Sequence, residues 1–242
     1  MPAVDDPHLP PAASLASRPF IAGHAPARLV PSAPATTGAA PARRVATAWR
    51  LARMMPRLEP LLAEDEGRAD LEGFIAGVFL QRHGAHTSHY AASLLGLRGQ
   101  DGGWCAALGY TRAPAGGLFV EHYLDRPVEQ AVAAVLGEPV DRSTLAEVGN
   151  LAASADGLGR LLIALTTVHL FEQGVQHVVF TATRALSNAF ARLGVPLVDM
   201  GPADPARVPG GEANWGDYYR HDPRILAGRV ASGLPVAGRL PD

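Results

Sequence analysis

Two carboxylates fall where carboxylates are costly. Glu121 and Glu147 interrupt the apolar runs 118–124 and 145–151, and an ionised group in such a setting requires a partner or a function. Either could take a proton from an attacking nucleophile, and Asn150 follows Glu147 closely enough to orient a carbonyl or an acceptor. Thr181 and Thr183 alternate along one strand end and can point two hydroxyls to one face. The competing reading of Thr183 is the cap of a helix that begins near Arg184. Trp215, Tyr218 and Tyr219 could wall and protonate a site. As neighbours on a strand, Tyr218 and Tyr219 would face opposite sides, so one of them reaches it, and the commoner role of such rings is core and rim packing.

Other chemistries are excluded or disfavoured. The sequence contains no lysine, which removes Schiff-base and lysine general-base mechanisms. The single cysteine, Cys105, cannot form an intramolecular disulfide, and its apolar surroundings predict an inert, buried thiol. His83, His86 and His89 recur every third residue, but no helix is expected to persist past Gly84 and bring them together. With no cysteine or clear acidic ligand nearby, no metal site is expected. The formal charge of −2 provides no global field for nucleic acid. The acidic start, Met1-Pro2-Ala3-Val4-Asp5-Asp6, lacks the features of a secretory signal, and the most apolar helical stretch is too short to span a bilayer, so a cytoplasmic location is expected.

These residues need elements to position them. Residues 1–41 are rich in proline, alanine and serine without an apolar period, so a disordered tail is expected. Over 42–60, helical spacing aligns Arg43, Arg50, Arg53 and Arg57 beside Trp49. This basic amphipathic segment reads as a solvated helix packed by Trp49, with a dock for an acidic carrier protein or anionic lipid as the alternative. The remainder, 61–242, reads as one domain.

Within it, Leu71, Phe74, Ile75, Val78 and Phe79 carry a helical stripe that ends near His83-Gly84. Residues 92–97 and 104–110 read as a hairpin across a glycine-rich turn. A short strand is expected over 118–123 and a helix over 128–136, after Asp125-Arg126-Pro127. Strand, helix, strand, helix, strand then follow at 145–151, 157–173, 177–181, 185–193 and 195–200, which implies a partly parallel sheet.

Several motifs occur in one order: Phe74-Ile75 and Val78-Phe79 with His83-Gly84-Ala85, then 106–110, 118–124, 147–153, 180–183 and Trp215-Gly216-Asp217-Tyr218-Tyr219. Together they resemble the thermostable hemolysin family from about Phe74 to Gly228. That family is in turn similar to the acyl-homoserine-lactone synthases and the acetyltransferase-like (GNAT) superfamily. The resemblance implies an α/β, single-domain GNAT-like mixed sheet flanked by helices. It also implies an N-acyltransferase that moves a fatty acyl group from a thioester to a small-molecule amine. The donor would be acyl-CoA or acyl-phosphopantetheine on an acidic acyl carrier protein, with no tightly bound cofactor.

In that reading the strand with Leu151, Ala152 and Ala153 pairs with the pantetheine arm. The helix opening at Asp156-Gly157-Leu158-Gly159-Arg160 receives phosphate on its free N–H groups. The superfamily's leading glutamine or arginine is replaced by Ser154, which leaves Arg160 as the nearest fixed cation, opposed by Asp156. The bland reading of Gly157 and Gly159 is close helix packing. Glu147 leads Glu121 as the base, Asn150 assists, Tyr219 or Tyr218 protonates the leaving thiolate, and His83, Thr181, Thr183, Trp215 and Tyr218 line the substrate site. The alternative is a directly membrane-active, hemolytic protein, although the sequence has no long amphipathic hairpin or apolar span to support it.

Overall fold

Leu71 and Ile75, one helical turn apart, are fully buried beneath helix α1 (Arg68–His83), the stripe that the apolar spacing predicts. Gly84, with φ +62°, ends this helix in the left-handed conformation. In the computed structural model, residues 58–238 are described, apart from Gln100, Asp156 and Gly210. The tail expected over 1–41 and the arginine stripe with Trp49 lie outside the described residues.

Seven strands form one mixed sheet: β1 (Glu59–Leu61), β2 (Ser93–Arg98), β3 (Trp104–Arg112), β4 (Leu145–Ala153), β5 (His177–Ala182), β6 (Val198–Pro202) and β7 (Arg224–Arg229), in the order β1-β2-β3-β4-β5-β7-β6. Among the described residues only β4 and β5 are parallel neighbours. The other helices are α2 (Val128–Leu136), α3 (Leu158–Glu172), α4 (Arg184–Leu193) and α5 (Val230–Ala237). None among the described residues is long and apolar enough to cross a membrane.

The period of two divides the strands between two cores. Leu94, Ala107 and Ala152 pack with Leu71 and Ile75 of α1, whereas Leu95, Leu97, Ala106 and Leu108 pack with Leu162 and Leu165 of α3 on the opposite face. Leu145 and Val179 join Val128 and Val132 of α2 in a further cluster.

Two sequence expectations need correction, and one strand is absent from the sequence reading. Residues 119–123 form a 3-10 turn rather than a strand, because Glu121 folds back to accept from the Leu118 N–H at 2.9 Å and satisfies locally an amide that a strand would have paired across a ladder. Tyr218 and Tyr219 also lie on a 3-10 turn, Tyr218–His221, so they do not face opposite sides of a strand. Finally, β7, which the sequence reading leaves unassigned, enters between β5 and β6 and is antiparallel to both.

Strand β4 carries the irregularity that shapes the site. Gly149 pairs with Gly109 and Ala152 with Ala107, so Asn150 and Leu151 together face Leu108 in a β-bulge. Asn150 takes φ +53°, a conformation that asparagine tolerates better than other residues carrying a Cβ. The extra residue restores Ala152 to the face that Leu145 and Glu147 occupy. On its other side β4 pairs with β5 only at Leu145–His177, Ala146–Val178 and Glu147–Val179. Beyond Glu147 the two parallel strands separate, and among the described residues no further β4–β5 pair follows.

Candidate active site

Glu147 stands at the point where that pairing ends. Its carboxylate accepts from the Val120 N–H at 3.0 Å and interacts with the Phe119 amide, both supplied by the 3-10 turn. Burial pushes the carboxyl up to about 7, against the lowering effect of these amides, and the charge of nearby Glu121 adds to the rise. No arginine pairs with it in the described hydrogen bonds and ion pairs. A carboxyl so poised exchanges a proton near neutral pH.

Glu121 is occupied otherwise. It forms an ion pair with Arg142 at 2.8 Å and accepts from the Leu118 and Val128 N–H groups. The Arg142 guanidinium holds its carboxyl down to about 2, with the two amides reinforcing the effect against burial. Arg142 also binds Glu129 at 2.8 Å and the Ala113 and Gly116 carbonyls, so the network fixes the turn that presents Val120 to Glu147. Arg142→Ala is therefore expected to cost about 2–3 kcal/mol at neutral pH. Because the folded pKa of Glu121 lies below its unfolded value, this contribution is complete above pH 4.5 and is lost as the pH falls toward 2. Urea unfolding of both proteins at pH 7 and pH 3 checks it: the gap should narrow at the lower pH.

Asn150 does not aim at an open space. Its Oδ1 accepts from the Ala91 N–H at 2.9 Å and its Nδ2 donates to the His89 carbonyl at 3.1 Å. Arg68, buried at the start of α1, binds the Ala91 and Ala92 carbonyls at 2.7 and 3.0 Å. These two side chains hold the loop that carries His86 and His89. That loop, Phe119, His122 and Trp215 line a recess of about 400 Å³, and the Thr87 hydroxyl beside them is buried without a hydrogen-bond partner.

The aromatic residues form a connected wall. Trp215 lies 5.7 Å from Phe119, 5.5 Å from Tyr218 and 5.9 Å from Tyr219 between ring centroids. The Tyr218 hydroxyl donates to Thr181 Oγ1 at 3.2 Å, and burial pushes the Tyr218 phenol up to about 12. The hydroxyls of Tyr219 and Tyr123 are 2.7 Å apart. Burial, together with the bond to Tyr219, raises the Tyr123 phenol. Thr183 caps α4, accepting from the Leu186 N–H at 3.5 Å, the role that its place before Arg184 also allows.

At the far end of β4, Ala152 and Ala153 are buried and Leu151 is partly so. Helix α3 opens at Gly157, whose φ of +90° suits glycine. A Cβ placed at Gly157 or Gly159 would meet nothing within 4 Å, so close packing does not explain either residue. Arg160 is exposed, and Asp156 lies outside the described residues. Ser154 is spent on the Cys105 carbonyl at 3.1 Å. A second cation stands here instead: Arg82 donates to the Ala153 carbonyl at 3.0 Å and borders a groove of about 610 Å³ between α1 and the end of β4. Its only sequence signal is a basic residue in the last turn of a helix. His83, read as a substrate contact, lies beside Asp217 and His221 and is not among the residues that line the recess with His86 and His89.

The architecture matches solved structures at low sequence identity. A CoA-dependent acyl-homoserine lactone synthase, BjaI, solved with SAM and isopentyl-CoA, superposes with a TM-score of 0.52 at 14% identity, covering 78% of this chain and 92% of that one. TofI, in a ternary complex with an inhibitor and MTA, gives 0.51 at 14% identity over 74% and 96%. The AHL synthase LasI gives 0.50 at 11% over 78% and 98%. No curated protein sequence matches significantly. The fold is therefore the GNAT-like mixed sheet of those synthases. Residues 61–234 match the thermostable hemolysin family over more than half of the sequence, and the chain belongs to that family.

Proposed function

We propose that the protein is an N-acyltransferase, moving an acyl group from a thioester donor to a small-molecule amine. The observation that carries this reading is the end of β4–β5 pairing at Glu147–Val179, with a carboxyl poised near neutral pH at the fork. Two strands that part in this way leave backbone N–H and C=O groups for an extended ligand such as a pantetheine arm, and unpaired groups of this kind favour such a partner. The acyl-homoserine lactone synthases of similar fold support the same class of reaction.

In this reading the donor runs along Leu151, Ala152 and Ala153 toward the open N-terminus of α3. Its phosphate meets the free N–H groups at Gly157 and Gly159, with Arg160 and Arg82 as the neighbouring cations. The amine enters from the recess at Phe119, where the Thr87 hydroxyl offers it a hydrogen bond. Glu147 removes the proton as the amine attacks the thioester carbon. The tetrahedral intermediate collapses by breaking the carbon–sulfur bond, and Tyr219, through its pair with Tyr123, returns a proton to the departing thiolate. One amide and one free thiol result. Glu121 and Asn150 act as positioning residues: the first fixes the turn that holds Glu147, the second the loop that lines the recess. Either acyl-CoA or an acyl carrier protein is compatible with this arrangement. The test is amine-dependent release of thiol from each donor, with the acylated amine identified by mass.

A further inference from the structure

We propose that His83 Nδ1, Asp217 Oδ1 and His221 Nε2 form a binding site for one divalent transition-metal ion of the Zn²⁺ class, which braces the aromatic segment 215–221 against the end of α1. Three observations carry it. The Asp217 oxygen lies 3.5 Å from His83 Nδ1 and 3.6 Å from His221 Nε2, and all three atoms lie within 4.8 Å of one another. These separations are too long for good hydrogen bonds. Two ligands held about 2.1 Å from one tetrahedral ion, by contrast, stand about 3.4 Å apart. A small swing of the half-exposed His221 ring closes the third edge.

The second observation is that both His83 Nδ1 and Asp217 Oδ1 are buried without a hydrogen-bond partner. An orphaned buried donor or acceptor is destabilising, and a cation between the two would satisfy both at once. The third is the rigidity of the frame. Asp217 N–H donates to the His83 carbonyl at 2.9 Å, and His86 N–H donates to the Asn214 carbonyl at 2.9 Å, so the strand-like approach of 214–217 to the end of α1 is fixed by backbone before any ion arrives. Asp217 immediately precedes one 3-10 turn and His221 ends it, which sets their spacing. The Asp217 and His221 side chains keep 43% and 49% of their surface exposed, leaving room for water to complete the coordination.

Two imidazoles and one carboxylate suit Zn²⁺ and its first-row neighbours, whereas Mg²⁺ and Ca²⁺ prefer sets of oxygen ligands. The His83 ring is 5.6 Å from that of Tyr218, whose hydroxyl reaches Thr181 on β5. An ion on His83 would thus fix the wall that carries Trp215, Tyr218 and Tyr219. The site stands independently of the acyl-transfer reading, because its test is binding of the metal itself.

Full-length protein stripped with chelator is titrated with Zn²⁺ by calorimetry and, separately, with Co²⁺ while visible absorption is recorded. The expected result is one equivalent bound with micromolar or tighter affinity, a rise in Tm of about 5 °C or more at saturation, and a Co²⁺ spectrum typical of nitrogen and oxygen ligation. His221→Ala, at a half-exposed position, should keep its circular dichroism and lose at least about 100-fold in affinity, more than loss of a supporting outer partner generally causes. No stoichiometric binding by the parent protein, or wild-type affinity in a folded His221→Ala variant, would overturn the assignment.

Discussion

Glu147→Gln should lower the acyl-transfer rate by about 100-fold or more while leaving the chain folded, and above neutral pH it should make the protein more stable. Both effects follow from one fact: burial raises the Glu147 carboxyl to about 7. As a base it works only when ionised, so the wild-type rate should rise with pH to a plateau above about 7. Glutamine keeps the size and can still accept from Val120, but it cannot take the proton, and this pH limb should disappear with the activity. The stability effect runs the other way. Between pH 4.5 and about 7 the folded state holds a proton that the unfolded state has released, so wild-type stability falls as the pH rises through this window. The full difference is about 3 kcal/mol as an order of magnitude. Glutamine is not subject to it, so the variant should match the wild type near pH 4.5 and exceed it above pH 7. A structural carboxylate paired with an arginine would behave oppositely and lose stability at neutral pH on substitution. Turnover and Tm measured from pH 5 to pH 8 distinguish the two.

Gly216→Ala is expected to have the largest effect of any single methyl group added at a glycine among the described residues. Gly216 takes φ +54°, and a Cβ there would overlap the His83 carbonyl oxygen and lie 2.7 Å from the carbonyl carbon of Gly84. Both obstacles are backbone at the end of α1, so neither can turn aside as a flexible side chain would. The methyl must push 214–217 away, breaking the Asp217–His83 and His86–Asn214 backbone hydrogen bonds and displacing Trp215, Tyr218 and Tyr219 with them. A loss of about 3 kcal/mol or more is expected, with turnover reduced at least about tenfold in whatever remains folded. Gly77→Ala supplies the contrast: inside α1, with nothing within 4 Å of a new Cβ, it should be neutral or stabilising by about 0.5–1 kcal/mol. Thermal melts of the two variants beside the parent check the prediction, and equal effects would contradict it.

The elements that the sequence displays plainly are those whose signal is periodic and local. The Leu71–Ile75 stripe, the glycine-rich hairpin and the alternation from β4 to α4 all appear as expected. The run 118–124 misleads for a physical reason: its short apolar run reads as a strand, but Glu121 satisfies nearby amides and coils the segment. Strand β7 is missed because Arg224–Arg229 is specified by pairing with the two neighbours it fits between rather than by a local period. Glu147 is legible, since a carboxylate in an apolar run calls for an explanation and the motif around it carries the family resemblance. Arg68, Arg82 and the pairing of His83 with Asp217 and His221 are not. Each depends on a contact between distant parts of the chain.

The central claim is tested most directly by mixing the purified protein with acyl-CoA or acyl carrier protein and a panel of small amines, following free thiol and the mass of the product. The account predicts thiol release that depends on the amine, one acylated amine formed per thiol, and half-maximal rate near pH 7. Red-cell lysis by the protein alone, with no thiol released from any donor, would contradict it.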